Sequence, residues 1–308
     1  MANTEKVVKV KKITRFSNKT EGLLNYADLK KIRFKGLYWL MFGILFLVSL
    51  ICLLPTLWVG VSGFKDVAEM YAVPPTIIPK SFNIGKVGEV WNKVNVLKYF
   101  TNSVILIIGC WTCDIVINGL AGYVLSRLKP IGSKVIETVV FWSMLLPGVS
   151  MVPLYMTFVD VPGLHINLIG SYVPIWIMSG ASAFNILLFR NFFNSIPMSY
   201  IEAARIDGCT DMGIFARIII PLSKPIIMVV TIFSITGTWG NFMWPYLILG
   251  NTNLEPVAVM LYRLSTSSSL LDNEYMLLMM ISIIPMIIMY SIFSKHIMGG
   301  LNMSGLKG

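Results

Sequence analysis

Two cysteines in an apolar segment are the first residues with a spacing that could do chemistry. Cys110 and Cys113 form the C-x-x-C pattern of redox and zinc sites. Such sites need exposed thiolates and further ligands, which a pair inside an apolar helix lacks, so we predict a structural role. The chain has two histidines, His165 and His296, and neither an H-E-x-x-H nor a G-x4-G-K-[ST] sequence. We therefore expect no metal site and no ATP hydrolysis by this chain.

A carboxylate in the same apolar segment is a second candidate. Asp114 lies near its middle, where a membrane would make a charge cost at least ~2.5–3.5 kcal/mol. No Lys or Arg lies inside any apolar segment to pair with it. Cys110, Asp114 and Asn118 recur every four residues, followed by Ala121 and Gly122, so a helix would place them on one inward face. We expect Asp114 to be protonated, hydrogen-bonded across helices, or paired with a group outside this chain.

A charged loop at 190–225 separates two of the apolar segments. Ser195 and Pro197 predict the start of a helix, and Gly208 predicts its end, because glycine readily adopts the left-handed conformation there. Thr210 predicts the cap of a second short helix that reaches Ile220. Two short helices at an angle would therefore project from the apolar part of the chain, as a docking element or as a plain interfacial connector.

The composition indicates what positions these residues. Of 308 residues, 56% are hydrophobic and 13% are charged, whereas soluble domains carry about 25% charged residues. The net charge is +10, but ten of the 25 Lys and Arg residues precede residue 36. Such clustering is typical of charges that set membrane topology and does not indicate nucleic-acid binding.

Six apolar segments are each long enough to cross about 30 Å of hydrocarbon. They are Leu37–Phe64, Tyr99–Ser126, Ile136–Val159, Ile169–Phe189, Ile226–Leu249 and Tyr275–Phe293. The first begins too late and runs too long for a cleavable signal, so we expect it to remain as an anchor. Cations concentrate in the N-terminal tail, the second loop and the fourth loop, which predicts that both termini and the 190–225 loop are cytoplasmic.

This pattern predicts three regions and an all-α integral membrane fold. Residues 1–35 form a basic cytoplasmic tail on anionic membrane lipid. Residues 36–294 form a six-helix transmembrane domain with both termini inside, and residues 295–308 form a short cytoplasmic tail. We expect a multi-pass protein of a prokaryotic plasma membrane.

The 190–225 loop carries a specific spacing. Glu202-Ala203-Ala204, then Gly208, Ile218 and Pro221, resembles the EAA loop by which permease subunits of ABC importers bind their ATPases. Over most of residues 37–308 the chain resembles the MalG-like carbohydrate permeases. The other similar stretches are Asn102-Ser103, Ala121–Arg127, Leu146-Pro147 with Val152–Tyr155, Trp239–Pro245 and Gly305–Gly308. The Trp239 stretch departs from the family pattern, because Gly240 stands between the tryptophan and Asn241.

The resemblance implies a type I ABC importer fold with cytoplasmic coupling helices. It implies a second, different permease, two ATPase subunits that bind ATP and Mg²⁺, and an extracytoplasmic sugar-binding protein. This chain would be a transport subunit, with no cofactor of its own and no enzymatic activity. The long external loop at 251–274 would reach the binding protein.

We expect three groups of site residues, of which the first and the third are implied by the resemblance and the second also follows from the polar and small residues inside the apolar segments. The ATPase-coupling residues are Glu202, Ala203, Ala204, Arg205, Asp207, Gly208, Ile218 and Pro221. The residues of the pathway or of the permease–permease interface are Asp114, Asn118, Trp239, Asn241 and Trp244. The residues of the tail that would contact the ATPases are Gly305, Lys307 and Gly308. For Asp114 we favour a structural role at the permease–permease interface over direct contact with sugar.

Two other functions are compatible with the pattern. One is an ABC permease for a different solute, although Pro147–Tyr155 and Lys307-Gly308 favour sugar. The other is an ion-coupled secondary transporter, which would need networks of intramembrane charges and two related halves. The sequence has one central carboxylate and no clear internal repeat.

Overall fold

The computed structural model describes residues 32–145, 151–267 and 269–304, and the side chains of residues 36–145, 151–267 and 269–293. Every regular element in these ranges is helical. The chain separates into two compact units, Met1–Leu57 and Trp58–Gly308. The described part of the first unit is one stretch of helix with exposed apolar side chains. The features below belong to the second unit.

Fourteen helices follow one another in the described residues. They are α1 Ile32–Gly63, α2 Val67–Met70, α3 Gly85–Val94, α4 Val96–Leu128, α5 Ser133–Ser143, α6 Met151–Val159, α7 Val173–Gly180, α8 Ala183–Ser195, α9 Met198–Ile206, α10 Asp211–Leu222, α11 Lys224–Gly240, α12 Met243–Leu249, α13 Val257–Thr266 and α14 Asp272–Ser304. Three of their turns are π-helical: Asp114–Asn118 and Val124–Leu128 in α4, and Phe215–Ile219 in α10.

Three of the described helices are long and apolar enough to cross a membrane. They are Gly36–Gly63, Val96–Leu128 and Asp272–Phe293. The number rises to five if two bent pairs each count as one span: α7 with α8, bent by 40°, and α10 with α11, bent by 80°. The third predicted segment corresponds to α5 and α6 on either side of residues 146–150, which lie outside the described residues.

Two predicted segments differ from the observed helices. The fourth was expected from Ile169 onward, but α7 begins at Val173, and the segment is broken where Ser182 caps α8 by accepting a bond from the Asn185 amide. The fifth was expected to be continuous, but α11 ends at Gly240 and α12 begins at Met243. Pro245 explains this second break, because its ring would clash with the Asn241 carbonyl in an unbroken helix.

One buried cluster joins the ends of α4, α8 and α11 to the short helices α9 and α10. Its centre includes Phe189, Phe193, Ile201 and Ile219, all fully buried. Close approach of α4 to α8 depends on Gly122, because a Cβ atom there would lie 2.7 Å from Phe189 Cβ and 2.9 Å from the Arg190 amide nitrogen. This cluster holds the charged loop against the apolar helices.

Candidate functional site: the 190–225 loop and the Asp114 cleft

The turn between α9 and α10 has the geometry predicted for residue 208. Gly208 has φ +80°, in the left-handed region that glycine adopts without steric cost. Its amide bonds the Arg205 carbonyl at 3.0 Å, and the Cys209 amide bonds the Ala204 carbonyl at 2.9 Å. These bonds form a Schellman-type ending of α9. Thr210 then caps α10 by accepting a bond from the Gly213 amide at 3.2 Å, as predicted.

The start of α9 differs from the prediction. Ser195 is the last residue of α8, and its hydroxyl donates to the Phe192 carbonyl at 2.7 Å. It therefore does not cap α9, which begins after Pro197. The chain bends at Ile196, whose backbone is extended, because the residue before a proline is driven out of the helical region.

The two adjacent alanines of the loop face opposite ways. Ala204 is buried in the core cluster, as is Ile201 one turn earlier. Ala203 is exposed on the other face. Two adjacent small side chains predict one flat face on which a partner could pack, and this prediction is wrong for Ala204, because residues three apart on a helix share a face and adjacent residues do not. Ala204 brings α9 close to its own protein.

The outer face of α9 and α10 carries most of the predicted coupling residues. Glu202, Ala203, Arg205, Asp207, Gly208 and Pro221 are exposed, and Ile218 is half-buried against the core cluster. Arg205 Nη2 lies 3.1 Å from Asp211 Oδ1 and so links the two helices across the turn. The charged tip of the loop is thus held by an ion pair within the loop.

Sequence reasoning missed the apolar residues on this outer face. Ile206 is 87% exposed, Met212 is 63% exposed and Tyr200 is 54% exposed. Large apolar side chains placed together on a charged, projecting loop mark an interaction surface. We call Tyr200, Glu202, Ala203, Ile206 and Met212 the loop surface. The spacing alone did not mark these residues, because Ile206 is seen to be out of phase with positions 201 and 204 only once those two are known to be buried.

Arg127 at the end of α4 fixes the base of the loop. Its Nη2 atom donates to the carbonyls of Phe193 and Ile196, where α8 ends. An arginine that binds carbonyl groups at a helix C-terminus satisfies otherwise unpaired acceptors. The Tyr123 hydroxyl donates to the Asp211 carbonyl at 3.3 Å. The stretch Ala121–Arg127 therefore acts as the support of the loop.

Asp114 lies at the first π-helical turn of α4 and is 4% exposed. Its Oδ1 atom accepts bonds from Asn118 Nδ2 and Asn185 Nδ2, both at 2.8 Å, and its Oδ2 atom accepts from Ser179 Oγ at 2.9 Å. Ser179 lies in the last turn of α7, and Asn185 lies in the first turn of α8. Of the three environments expected for this carboxylate, the structure has hydrogen bonding across helices.

A cleft of about 370 Å³ opens beside this carboxylate. Its walls come from α4, α7, α8, α11 and α12, and its polar lining includes Asp114, Asn185, Ser234 and Asn241. Its aromatic lining is Phe184, Phe233 and Trp244. The break between α11 and α12 contributes directly, because Asn241 stands in the break with an extended backbone.

The predicted pathway residues separate into two groups. Asp114, Asn241 and Trp244 line the cleft, and Asn118 stands behind it as a donor to Asp114. Trp239 lies elsewhere, in a second buried cluster, with its ring 5.7 Å from that of Phe100. The structure therefore brings four of the five together and leaves Trp239 outside.

Asn102 and Ser103 support the predicted external loop. Asn102 Nδ2 donates to the Asn253 carbonyl at 2.9 Å and to the Glu255 carbonyl at 3.0 Å. Ser103 Oγ accepts a bond from the Val257 amide at 2.9 Å. Glu255, 1% exposed, pairs with Arg263 of α13. Residues 251–274 thus contain a helix anchored to α4.

The remaining predictions concern cysteines, metals and the tail. Cys110 is buried, Cys113 is half-buried, and both are free thiols. The described residues contain no group of three or more His, Cys, Asp or Glu side chains arranged to hold a metal ion. Gly305, Lys307 and Gly308 lie outside the described residues.

Comparison with known proteins identifies the family. Residues 118–301 match the family described as the binding-protein-dependent transport system inner membrane component. The chain belongs to this family. The matched region includes the loop surface and the cleft walls formed by α7, α8, α11 and α12. It also includes Asn118, Ser179 and Asn185, the three donors to Asp114, but begins after Asp114 itself.

Two relatives of this inner membrane component are permease proteins of carbohydrate transport systems. The polygalacturonan/rhamnogalacturonan transport system permease protein YtcP of Bacillus subtilis (strain 168) is 29% identical, over 87% of this chain and 97% of YtcP. The arabinooligosaccharides transport system permease protein AraQ of the same organism is 29% identical, over 88% and 94% of the two chains. The match extends N-terminal of residue 118 and so includes most of α4.

The fold of this inner membrane component has a solved counterpart. A chain of a bacterial ABC transporter involved in the import of the acidic polysaccharide alginate superimposes with a TM-score of 0.74 at 23% identity. The match covers 89% of this chain and 99% of that chain. The likeness shows that the helices are arranged as in an ABC importer permease.

Proposed function

We propose that this chain is a permease subunit of an ATP-driven, binding-protein-dependent carbohydrate importer. Family membership supports the transport role, and the functions of YtcP and AraQ support oligosaccharides as solutes. The observation that carries the proposal is the loop surface: apolar side chains exposed on a charged loop whose other face is fixed in the core.

The proposal includes six transmembrane spans. These are α1, α4, the α5–α6 segment, the α7–α8 pair, α11 with α12, and α14. The clustering of cations before residue 36 and in the 190–225 loop supports a cytoplasmic location for the termini and the loop surface. On this topology α13 lies outside the cell.

The partners follow from the two ends of the molecule. At the cytoplasmic end, the loop surface docks on one of two ATPase subunits, which bind ATP and Mg²⁺. At the external end, the segment anchored by Asn102 and Ser103 meets the sugar-binding protein. A second, different permease completes the pathway beside this chain.

A pair of matched substitutions tests the docking role. Ile206 is 87% exposed on the loop surface, whereas Ile131 is fully exposed on the segment between α4 and α5. Both side chains lie outside the core, so replacing either with Asp should leave folding intact. We expect Ile206→Asp to reduce ATPase co-purification at least tenfold and Ile131→Asp to leave it unchanged. Equal ATPase recovery with both variants would contradict the proposal.

A further inference from the structure

We infer that the Asp114 cleft is a binding subsite for an uncharged sugar ring and selects against sugars that carry a carboxylate. The inference rests on the proposed function, since it names the charge class of the solute. It applies to the part of the pathway that this chain itself forms. The cleft volume of about 370 Å³ is within the range of small-molecule sites.

The polar wall of the cleft has a surplus of hydrogen-bond acceptors. Asn118 Nδ2 donates to Asp114 Oδ1 and to the Ser179 carbonyl, and Asn185 Nδ2 donates one bond to Asp114 Oδ1. The Oδ1 atoms of both asparagines are buried without a partner, as is the hydroxyl oxygen of Ser234. Asn185 and Ser234 line the cleft and are 7% and 5% exposed. Buried polar atoms are normally hydrogen-bonded, so these oxygens indicate a ligand that donates.

Sugar hydroxyl groups fit this wall because each donates one hydrogen bond and also accepts. A carboxylate fits less well, because an ionised carboxylate only accepts and gains no bond from Asn185 Oδ1, which also only accepts. It would also approach the Asp114 carboxylate, and two carboxylates that share a low-dielectric site repel each other. Among the described residues that line the cleft there is no Lys, Arg or His to compensate.

Aromatic side chains complete the fit to a sugar ring. Phe184 and Phe233 meet edge to face, with ring centroids 5.9 Å apart, and Trp244 lines the cleft as well. Such side chains bury large apolar areas and can cover the C–H face of a pyranose. A bare monovalent cation could bind the unpartnered oxygens but would gain little from the three aromatic side chains. A sugar can contact both the oxygens and the aromatic side chains, so it fits more of the cleft lining.

Direct binding to the membrane complex tests the inference without selection by the binding protein. The full chain, co-expressed with its partner subunits, is placed in lipid nanodiscs. Affinities for cellobiose and for digalacturonate are measured by titration calorimetry at equal ionic strength. We expect cellobiose to bind at least tenfold more tightly than digalacturonate. Equal or tighter binding of digalacturonate would overturn the inference, and so would binding of neither sugar.

Two variants connect the binding to the cleft. Ser234→Ala removes an unpartnered cleft hydroxyl and should weaken cellobiose binding about three- to tenfold. Its matched control is Thr236→Val on the same helix, whose hydroxyl donates to the Ile232 carbonyl at 2.7 Å and does not line the cleft. Asp114→Asn should reduce the ratio of the affinity for cellobiose to the affinity for digalacturonate. Equal effects of Ser234→Ala and Thr236→Val would contradict the assignment.

The two proposals fail separately in this design. ATPase co-purification is scored on the same preparation, and ATP-dependent uptake is measured after addition of the binding protein. A complex that retains the ATPase and imports uronates refutes the neutral-sugar subsite alone. If the chain binds cellobiose but no ATPase co-purifies with it, the proposal that it is an importer subunit is refuted.

Discussion

At the scale of single residues, Asp114 shows how hydrogen bonds offset the free-energy cost of a buried carboxylate. Burial of a carboxylate in a membrane-spanning helix is unfavourable. Here three side-chain donors converge on it at 2.8–2.9 Å, Asn118 from α4 itself and Ser179 and Asn185 from two further helices. Ser179 and Asn185 stand on either side of the break between α7 and α8, so the carboxylate also fixes the bend of that pair.

Substitutions of Asp114 should separate shape from charge. Asp114→Leu leaves Asn185 Nδ2 without its acceptor, whereas Asn118 and Ser179 keep bonds to backbone carbonyls. It should lower the free energy of unfolding by about 1–3 kcal/mol. Asp114→Asn keeps an acceptor oxygen and should fold and assemble normally. Thermal unfolding of the purified chain in detergent measures both effects. The control is Asp160→Leu, because the Asp160 side chain is 63% exposed.

The uptake assay adds a second outcome for the same pair. Under the structural role, Asp114→Asn retains uptake of neutral sugar. Normal assembly with complete loss of that uptake would show that the charge itself is required. The proposed role of Asp114 at the permease–permease interface stays a prediction, which co-purification of the second permease with Asp114→Leu would test.

Gly208 is the residue on which the angle between α9 and α10 depends. Gly208→Val places a β-branched residue at φ +80°, which costs about 1–2 kcal/mol and should displace the loop surface. We expect less ATPase association, or ATP hydrolysis without uptake. Gly132→Val is the matched control, because Gly132 has φ +86° and likewise has no heavy atom near its missing Cβ. Equal loss of coupling in both variants would attribute the effect to general strain.

At the scale of elements, close helix contacts depend on small residues. Gly122→Ala would place its Cβ atom 2.7 Å from Phe189 Cβ, forcing α4 and α8 apart. We expect a loss of about 1–3 kcal/mol of stability. Gly88→Ala is the control, since nothing lies within 4 Å of its missing Cβ in α3. Thermal melts of the two variants should differ clearly, and similar melts would argue against tight α4–α8 packing.

The sequence predicted the type of element better than its breaks. Apolar length located α1, α4 and α14, because a single continuous helix is the simplest way to satisfy backbone groups in lipid. It could not show the break after Gly240, which depends on how the Pro245 ring meets the backbone four residues earlier. The π-helical turn at Asp114 was also invisible, since it reflects tertiary hydrogen bonds and not local propensity.

The same contrast holds within the candidate site. Spacing alone located Gly208 and Thr210, because their roles are local backbone and capping effects. The direction of Ala204 could not be read from the motif, since it depends on which side of α9 meets the core. Trp239 was placed with the pathway residues by its motif, but the helix carries it to a cluster with Phe100.

At the scale of the whole molecule, the predicted contact between the C-terminal tail and the ATPase subunits remains to be tested by experiment. The sequence of residues 305–308, Gly-Leu-Lys-Gly, predicts a role only in contact with a partner. Deletion of Gly305–Gly308 should leave membrane insertion intact and lower sugar-stimulated ATPase activity. A deletion of the same length within the N-terminal tail, at residues 2–5, serves as the control. Full stimulation without the C-terminal four residues would remove the tail from the coupling mechanism.

The 80° corner between α10 and α11 gives the molecule a lever. Ser223 stands at the corner with no exposed surface and is bonded to both arms: its hydroxyl donates to the Ile219 carbonyl of α10 at 2.6 Å, and its carbonyl accepts from the Ile227 amide of α11 at 3.0 Å. The α11 arm has 17 residues and is therefore about 25 Å long. A rotation of about 5° at the corner would carry its far end about 2 Å sideways. Gly237 and Thr238 travel on that end and line the cleft, so a small tilt at the loop changes the width of the cleft without moving any side-chain rotamer.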